Sequence, residues 1–156
     1  MAEYSAVAAQ TIQPGGFAIF DATTVPCELG LVQHSDGSPL FSLSGLNTNN
    51  SGCCCRRQRN AEYVLDFGGN IAIATGGTAG EISVAFYVGG VTDPASIMRV
   101  TPAAVEEYFN VSRSKTVPIF NNCCQSVAIQ NTSDQAITLE AATLRILLSN
   151  PNPWTL

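Results

Sequence analysis

Charged residues are scarce in this sequence. Asp, Glu, Lys and Arg together make up 12% of its 156 residues, whereas globular proteins typically contain about 25%. Neutral residues must therefore cover most of the surface, as in virion-surface β proteins and in chains that bury much of their surface against copies of themselves. The net charge of −5 argues against direct nucleic-acid binding, because that affinity depends on neutralising phosphates.

Histidine is almost absent: His34 is the single one. A Ser/His/Asp or Cys/His active site would need it, because no other side chain titrates near neutral pH without strong perturbation. His34 directly precedes the turn sequence SDGS, where a surface role is commoner than catalysis. The neighbouring carboxylates Glu106 and Glu107 diverge on a strand or a helix, and the glycine-rich loop 76–81 lacks the Lys-Ser/Thr of a phosphate cradle. We therefore predict no enzymatic activity and no cofactor.

Targeting segments are also missing from the sequence. The start, MAEYSAVAAQTIQPGG, carries the acidic Glu3 and has neither a basic region nor an apolar core, so we expect no signal peptide. No run approaches 18 uninterrupted apolar residues, so we expect no transmembrane helix and no membrane partner. The expectation is a protein made in a cytoplasm that leaves the cell only within a particle released by lysis.

Six cysteines occur, at positions 27, 53, 54, 55, 123 and 124. On an extended strand Cys53 and Cys55 share a face while Cys54 takes the other, and Cys123 and Cys124 also diverge. Paired zinc ligands are normally two to four residues apart, so a metal site would require the two clusters on neighbouring strands. A disulfide between the clusters remains open. The reducing context favours buried thiols that act as small apolar groups.

Three arginines follow the cysteine run: Arg56, Arg57 and Arg59. A nucleic-acid patch would need more basic residues and stacking aromatic rings. Arg is favoured for bidentate pairing at protein interfaces, so we predict that these side chains contact another subunit. Their candidate partners are the carboxylates Glu62, Asp66, Glu106 and Glu107.

Apolar residues alternate with polar ones along most of the chain. Segments with this pattern are 17–20, 29–34, 40–45, 61–67, 70–75, 81–90, 116–120, 125–131 and 142–149, and each predicts a strand. In segment 81–90, Ile82, Val84, Phe86 and Val88 share one face, which predicts an antiparallel sheet buried on one side.

Glycine-rich turns and one short helical pattern complete the prediction. The sequences SDGS and FGGN (67–70) predict hairpins. TPAAVEEYF (101–109) is the one helix candidate, and it is consistent either with a helix of two turns at most or with a loop. Nine or ten short strands with little helix predict an all-β antiparallel sandwich of the jelly-roll type. We predict a single domain over residues 1–156, with extended segments at 1–15 and 150–156.

Two long stretches carry a resemblance. RNAEYVLDFGGNIAIATGGTAGEISVAFYVGG and VSRSKTVPIFNNCCQSVAIQNTSDQAITLEAATLRILL resemble the trimeric jelly rolls of the TNF/C1q type, especially the C-terminal domains of bacterial collagen-like surface proteins. The resemblance covers about residues 58–149 and implies a homotrimer with the ISVAFYVGG strand near its threefold axis. No Gly-X-Y segment precedes this region, unlike in the collagen-like proteins.

A second resemblance rests on MAEYSAVAAQTIQPGGFAIF, FGGNIAI, VTPAAVEEYFNVS and NCCQSVAIQNTSDQAI. These sequences are similar to small structural proteins of phages and prophages of gut Firmicutes, whose suggested roles are head decoration and head fibre. The resemblance implies a non-enzymatic, trimeric capsid decoration protein on the outer surface of the virion. Its partners would be copies of itself and the major capsid protein or another virion protein.

Two alternatives remain open. A receptor- or carbohydrate-binding fibre tip would use exposed aromatic residues, with Tyr87, Tyr108 and Phe109 as candidates. A bacterial trimeric surface protein is the other.

Both chain ends, and two residues of segment 81–90, are further interface candidates. We expect residues 2–13 to add a strand to a neighbouring chain or to lie along the capsid, and Trp154 in NPNPWTL to anchor the C-terminal segment on a partner. Phe86 and Tyr87 complete the predicted interface set.

Overall fold

The computed structural model describes residues 1–27, 30–45, 61–119 and 124–149. Within these ranges, two antiparallel sheets contain β1 (Ala2–Ala6), β2 (Gln10–Ile12), β3 (Ala22–Val25), β4 (Val32–His34), β5 (Phe41–Leu43), β6 (Ala61–Ile73), β7 (Ile82–Val88), β8 (Val91–Thr92), β9 (Met98–Val100), β10 (Phe109–Ile119), β11 (Gln125–Asn131) and β12 (Ile137–Leu148). Sheet A has the order β10-β6-β12-β1-β3, with β2 also on β12. Sheet B has the order β4-β5-β11-β7-β8, with β9 also on β7.

The strand pairs are nested. The first strand pairs with the last, β1 with β12, and inside that pair β5 meets β11, β6 meets β10 and β7 meets β9. Successive pairs alternate between the two sheets, which is the topology of a long hairpin rolled into a jelly roll. The predicted all-β, TNF/C1q-like antiparallel jelly-roll sandwich with little helix is therefore confirmed.

The core lies between the two sheets and consists of the inward-facing residues of alternating strands. On β6, for example, Ala61, Tyr63, Leu65 and Phe67 are buried while the residues between them face outward. The largest fully buried side chains are Phe20, Phe41, Tyr63, Phe86, Leu43, Leu65, Ile71, Ile73, Ile82, Ile119, Ile129 and Ile137. No helix in the described ranges is long and apolar enough to cross a membrane.

The predicted FGGN hairpin is wrong, because β6 runs without interruption from Ala61 to Ile73. Gly69 allows β6 and β12 to pack closely and is not part of a turn. A Cβ at this position would lie 3.0 Å from Leu139 Cδ1 and 3.1 Å from Ala142 Cβ, where β12 bulges opposite β6. Glycine in a strand often marks such a close approach, and the sequence pattern alone does not distinguish it from a turn.

Of the two alternatives for residues 101–109, a short helix or a loop, the structure shows the loop. Residues 101–108 form a loop with turns, and Phe109 already belongs to β10. Glu106 adopts a left-handed φ of 63° and donates its N–H to the Ile73 carbonyl at 3.0 Å. Glu107 Oε2 accepts the N–H groups of Ala103 and Ala104, at 2.9 and 3.3 Å. The two glutamates thus satisfy the backbone of a loop.

The prediction that the sheet containing segment 81–90, sheet B, is buried on one side only is confirmed in part. Ala85 and Ala128, which point away from the core, are fully buried as well. Residues 15–18 run along β11, where the Ala18 N–H donates to the Ile129 carbonyl at 2.9 Å. The predicted strand at 17–20 is reduced to an isolated bridge between Phe17 and Gln130.

The N-terminal strand stays in its own chain. β1 lies between β12 and β3 in sheet A and pairs with β12 over five residues, from Ala2 with Ile146 to Ala6 with Ala142. Its inward side chains, Tyr4 among them, are buried in the core. The prediction that this segment adds a strand to a neighbouring chain is therefore wrong, because its hydrogen-bonding edges are used internally.

Candidate interaction surface

The outward side chains of sheet A form one surface, which we call face A. Register places its residues in rows across the strands. Ser114 of β10 lies opposite Asp66 of β6, Asp66 opposite Arg145 of β12, and Arg145 opposite Glu3 of β1. Four strands that are distant in sequence thus each add one polar side chain to a central row.

The middle of this row is held by an ion pair. Arg145 Nη2 lies 2.5 Å and Nε 3.0 Å from Asp66 Oδ2, and the Ser114 hydroxyl donates to Asp66 Oδ1. The hydrogen bonds from Ser114 and Arg145 lower the pKa of Asp66, and the same pair raises the pKa of Arg145. Asp66 and Arg145 compensate each other, and Glu3 beside Arg145 leaves the central row with one uncompensated negative charge.

Small and apolar residues surround the central row. On one side of it Ser112, Gly68, Thr143 and Ser5 lie opposite one another. On the other side Thr116, Val64 and Leu147 lie opposite one another, and Leu147 is 37% exposed. Short side chains on a sheet allow another surface to approach the backbone closely.

The predicted aromatic candidates do not lie together. Phe86 is 0% exposed, so it is a core residue and its predicted interface role is wrong. Tyr87 is half-buried on the outer side of sheet B, edge-on to Phe17 at 4.9 Å between ring centroids. Tyr108, which is exposed, and Phe109, which is half-buried, precede and begin β10 in sheet A. Slight burial, with Glu140 and Glu106 nearby, raises the pKa of Tyr108.

Most of the predicted cysteine and arginine cluster lies outside the described residues: Cys53, Cys54, Cys55, Arg56, Arg57, Arg59 and Cys123, together with Trp154. Cys124 is described and directly precedes β11, with its Sγ 4.0 Å from Ser44 Oγ. The disulfide and the metal site weighed between the clusters remain untested. Among the described residues, no group of three or more His, Cys, Asp or Glu could hold a metal ion.

The four carboxylates that were predicted to pair with the arginines all have contacts within the described fold. Asp66 binds Arg145, Glu62 Oε1 accepts the Ser149 hydroxyl at 3.0 Å, Glu106 Oε1 accepts the Thr75 hydroxyl at 2.7 Å, and Glu107 binds backbone N–H groups. Each therefore has a structural role in its own chain.

His34 bridges two backbone segments. Its Nε2 lies 3.0 Å from the Phe20 carbonyl oxygen and its Nδ1 3.3 Å from that of Leu40. Its ring stacks on Phe41 at 4.1 Å and meets Tyr4 edge-on. Both ring nitrogens thus face backbone carbonyls, and His34 joins residues 17–20 to the β4–β5 turn.

The Asp66–Arg145 pair is the part of face A that sequence reasoning missed. Both residues stand at outward positions of strongly alternating strands, and Asp66 was assigned to the arginine cluster instead. The two are separated by 79 positions in the chain. Only the strand register shows that they lie opposite each other.

A second ion pair links the two sheets at their free edges. Lys115 Nζ of β10 lies 2.7 Å from Asp93 Oδ2, which follows β8, and both side chains are largely buried. The hydrogen bond from Lys115 is the main cause that lowers the pKa of Asp93. Asp66 and Asp93 thus both keep their charge to lower pH in the folded chain than in the unfolded one.

Stability is therefore expected to fall in acid. A carboxylate whose pKa is lowered on folding contributes stability above its unfolded pKa, and that contribution is lost as pH falls through the folded pKa. The free energy of unfolding in urea should drop below about pH 4. The double variant Asp66→Asn/Asp93→Asn should have a lower free energy of unfolding at pH 7. Its free energy of unfolding should also change less over this acid range. Parallel curves for the two proteins would contradict the assignment.

Comparison with known proteins adds little to this picture. No family model matches the chain, and no curated protein matches it. Among solved structures, the chain is similar to Arthrobacter globiformis T6 isomalto-dextranase complexed with panose (15% identity, 91% of this chain, 22% of that chain, TM-score 0.37). It is also similar to the CBM22-1 xylan-binding domain of Paenibacillus barcinonensis Xyn10C (11% identity, 94% of each chain, TM-score 0.35).

A third similar structure is the Podospora anserina GH26-CBM35 β-(1,4)-mannanase (11% identity, 92% of this chain, 28% of that chain, TM-score 0.28). This chain thus spans about a quarter of the two enzyme chains. At these TM-scores the similarities carry no argument about function, so the residues of the chain itself have to supply it.

Proposed function

We propose that this chain is a non-enzymatic structural protein of a phage virion and acts as a homotrimeric capsid decoration protein. The observation that supports this most is face A, a sheet surface covered mostly by short neutral side chains, with an ion pair at its centre. Such a surface is suited to being covered by another copy of the chain.

Short neutral side chains cover most of face A, between the Asp66–Arg145 pair and the carboxylates Glu3, Glu62 and Glu140. These neutral parts are inexpensive to remove from water. Burying an unpaired charge costs several kcal/mol, whereas hydroxyl groups can form hydrogen bonds across an interface. Interface cores are correspondingly depleted in charged residues. The 12% charge content of the whole chain agrees with a protein that buries much of its surface on assembly.

The dimensions of face A approach those of a standard interface. At about 3.3 Å per residue and about 4.8 Å between strands, the long strands β10, β6 and β12 with 11, 13 and 12 residues and the shorter β1, β2 and β3 cover about 760 Å². A standard interface needs about 800 Å² from each partner. A cyclic trimer brings two different patches together at each contact, so face A would meet another surface of the neighbouring copy.

The location on the capsid rests on the resemblance to small phage proteins and on the composition. In this proposal the trimer binds the major capsid protein or another virion protein from outside and stiffens the lattice, without contact to nucleic acid or membrane. The residues involved act by binding alone, with no chemical step.

Purified virions provide the test. Mass spectrometry of particles induced from a lysogen should detect the chain at a fixed ratio to the major capsid protein, and imaging should place it as trimers outside the shell. Finding the chain only in the lysate, never in particles, would overturn the proposal. Binding on a glycan array that is lost in Tyr108→Ala or Tyr87→Ala would instead favour the fibre-tip alternative.

A further inference from the structure

One edge of sheet A is open. β10 is the end strand of this sheet and pairs with β6 over all 11 of its residues, from Phe109 to Ile119. Within the described ranges no strand pairs with β10 on its other side. A free strand edge presents a row of unpaired N–H and C=O groups, which is a template for the addition of another strand.

The register shows which residues of β10 face the open side. The Glu62 carbonyl accepts the Ser149 N–H at 2.8 Å, so the backbone of Glu62 faces the β12 side of β6. Pro118 lies opposite Glu62, and the backbone groups of two opposite residues in an antiparallel pair point either towards each other or both away. The backbone groups of Pro118 therefore point away from β6. Because the register between β10 and β6 has no shift, those of Ser114 and Thr116 do the same.

A groove of about 460 Å³ lies beside this part of the edge, between β10 and the edge of sheet B. Its apolar lining residues are Val88, Val91, Pro94, Val117 and Pro118. Val91 is 67% exposed. Lys115 and Asp93, which form the ion pair between the two sheets, also line the groove. A strand added to β10 would direct every second side chain towards this groove, where an apolar one would cover exposed apolar surface.

The charge beside the groove selects the occupant. Arg113 lies opposite the core residue Phe67, so its side chain leaves β10 on the same side as those of Lys115 and Val117. Arg113 is exposed, and in the part of the chain that the structure describes it forms no ion pair. The charge of Lys115 is compensated by Asp93. A strand that pairs with this edge is therefore stabilised by a carboxylate opposite Arg113.

A second copy of the chain fits this edge poorly. Symmetric pairing of two β10 strands centred on Ser114 would place Arg113 of one copy opposite Lys115 of the other. Centring on Lys115 would place the two Lys115 side chains opposite each other, and like charges directly opposite one another are destabilising. Centring on Thr116 would place Pro118, which has no N–H, where it should exchange hydrogen bonds with Ser114. The edge therefore favours a strand of different sequence.

We propose that the open edge of β10 binds an extended segment of another protein by strand addition. Backbone hydrogen bonds with Ser114 and Thr116 provide affinity, and the side chains of the segment provide specificity. An acidic side chain lies opposite Arg113, and an apolar one fills the groove opposite Val117. The two are thus four positions apart in the segment, with the apolar one first when the segment runs antiparallel to β10. This edge is distinct from face A, so the inference goes beyond the proposed function and does not depend on it.

A synthetic peptide with this pattern is the probe: acetyl-Thr-Val-Thr-Ser-Thr-Asp-Thr-amide. Added to the full chain, it should slow the hydrogen exchange of the Ser114 and Thr116 amides, measured by NMR. The same peptide with Lys in place of Asp should bind about three- to tenfold more weakly. In the variant Arg113→Glu the preference between the two peptides should be reversed. This variant should keep the fold, because Arg113 is exposed.

Two further variants test the backbone contact itself. Thr116→Pro removes an N–H that faces the open side and should weaken binding of the Asp peptide about tenfold or more. Pro118→Thr supplies an N–H on the same side and should strengthen binding about two- to tenfold. An edge strand tolerates Pro where its nitrogen faces solvent, as Pro118 already shows. Pro118→Thr keeps the test decisive if the Thr116→Pro chain does not fold.

Four results would overturn the inference. Protection of the Ser114 and Thr116 amides without peptide, at every protein concentration, would show that the chain itself covers the edge. Protection that grows with protein concentration would assign the edge to a second copy. Equal binding of the Asp peptide by the natural chain, Thr116→Pro and Pro118→Thr would place the peptide elsewhere. No binding at millimolar peptide would exclude strand addition at this edge.

Discussion

If face A forms the contact between copies in the proposed trimer, the variant Gly68→Arg should be monomeric. Gly68 lies in the middle of β6 on face A, opposite Ser112 and Thr143. A Cβ at this position would meet nothing closer than Ser112 Cβ at 4.0 Å, so the single chain tolerates the substitution. At a copy–copy interface the arginine would bury an unpaired charge, which costs about 3–5 kcal/mol, or a factor of roughly 10² to 10³ in each contact.

Gly80→Arg is the matched control for this variant. Gly80 lies in the β6–β7 loop, outside the rows of face A, and its Cβ would also be unhindered, with Thr78 O at 3.9 Å. Native mass spectrometry at micromolar concentration should give a trimer for Gly80→Arg and for the natural chain, and a folded monomer for Gly68→Arg. A trimeric Gly68→Arg would exclude face A as the interface, and a monomeric natural chain would exclude the trimer.

Asn131→Ala should produce the largest loss of stability among single substitutions of polar residues in the described fold. The side chain is 1% exposed. Its Nδ2 donates to the carbonyls of Ile12 and Gln135 at 2.9 and 3.0 Å, and its Oδ1 accepts the Ser133 N–H at 2.9 Å. Alanine would leave these three backbone groups without their partner, at about 1–3 kcal/mol for each one that stays buried.

The expected total of about 3–6 kcal/mol is a large part of the 5–15 kcal/mol that stabilise a typical domain. Urea unfolding at one fixed protein concentration measures it, because assembly makes apparent stability depend on concentration. Asn110→Ala is the control: the Asn110 side chain is exposed and its Nδ2 donates to Asn70 Oδ1 at 3.1 Å, so the change should be within about 0.5 kcal/mol. A loss below about 1 kcal/mol in Asn131→Ala would contradict the role assigned to it.

Asn131 also illustrates how local sequence and tertiary position differ. Its segment, QSVAIQN, was predicted as a strand and forms β11 from Gln125 to Asn131. The turn-rich sequence NTSDQ (131–135) begins at Asn131. It does not indicate that the Asn131 side chain donates a hydrogen bond to the Ile12 carbonyl, 119 positions earlier in the chain. Hydrogen bonds over such a separation depend on how the N-terminal segment returns to β11, which a local pattern does not encode.

The candidate site was predicted only in outline. Low charge content predicts an interaction surface but does not indicate which strands form it. The individual interface residues were predicted less well. Phe86 was an interface candidate but lies in the core, because alternation shows which residues share a face and does not show whether that face packs on the other sheet or on another subunit. The ion pair of Asp66 and Arg145 was missed, because it depends on the register between β6 and β12.

Alternation with a period of two is a local property, so the sequence alone predicts that this chain is a β sandwich, where most of its strands lie and which of their residues can be buried. The three-dimensional structure was needed to show that 61–73 is one strand, that β1 pairs within its own chain, and that Ser114, Asp66, Arg145 and Glu3 share a row. These features depend on pairings between distant strands, and a shift of one residue in register would turn every side chain to the other face.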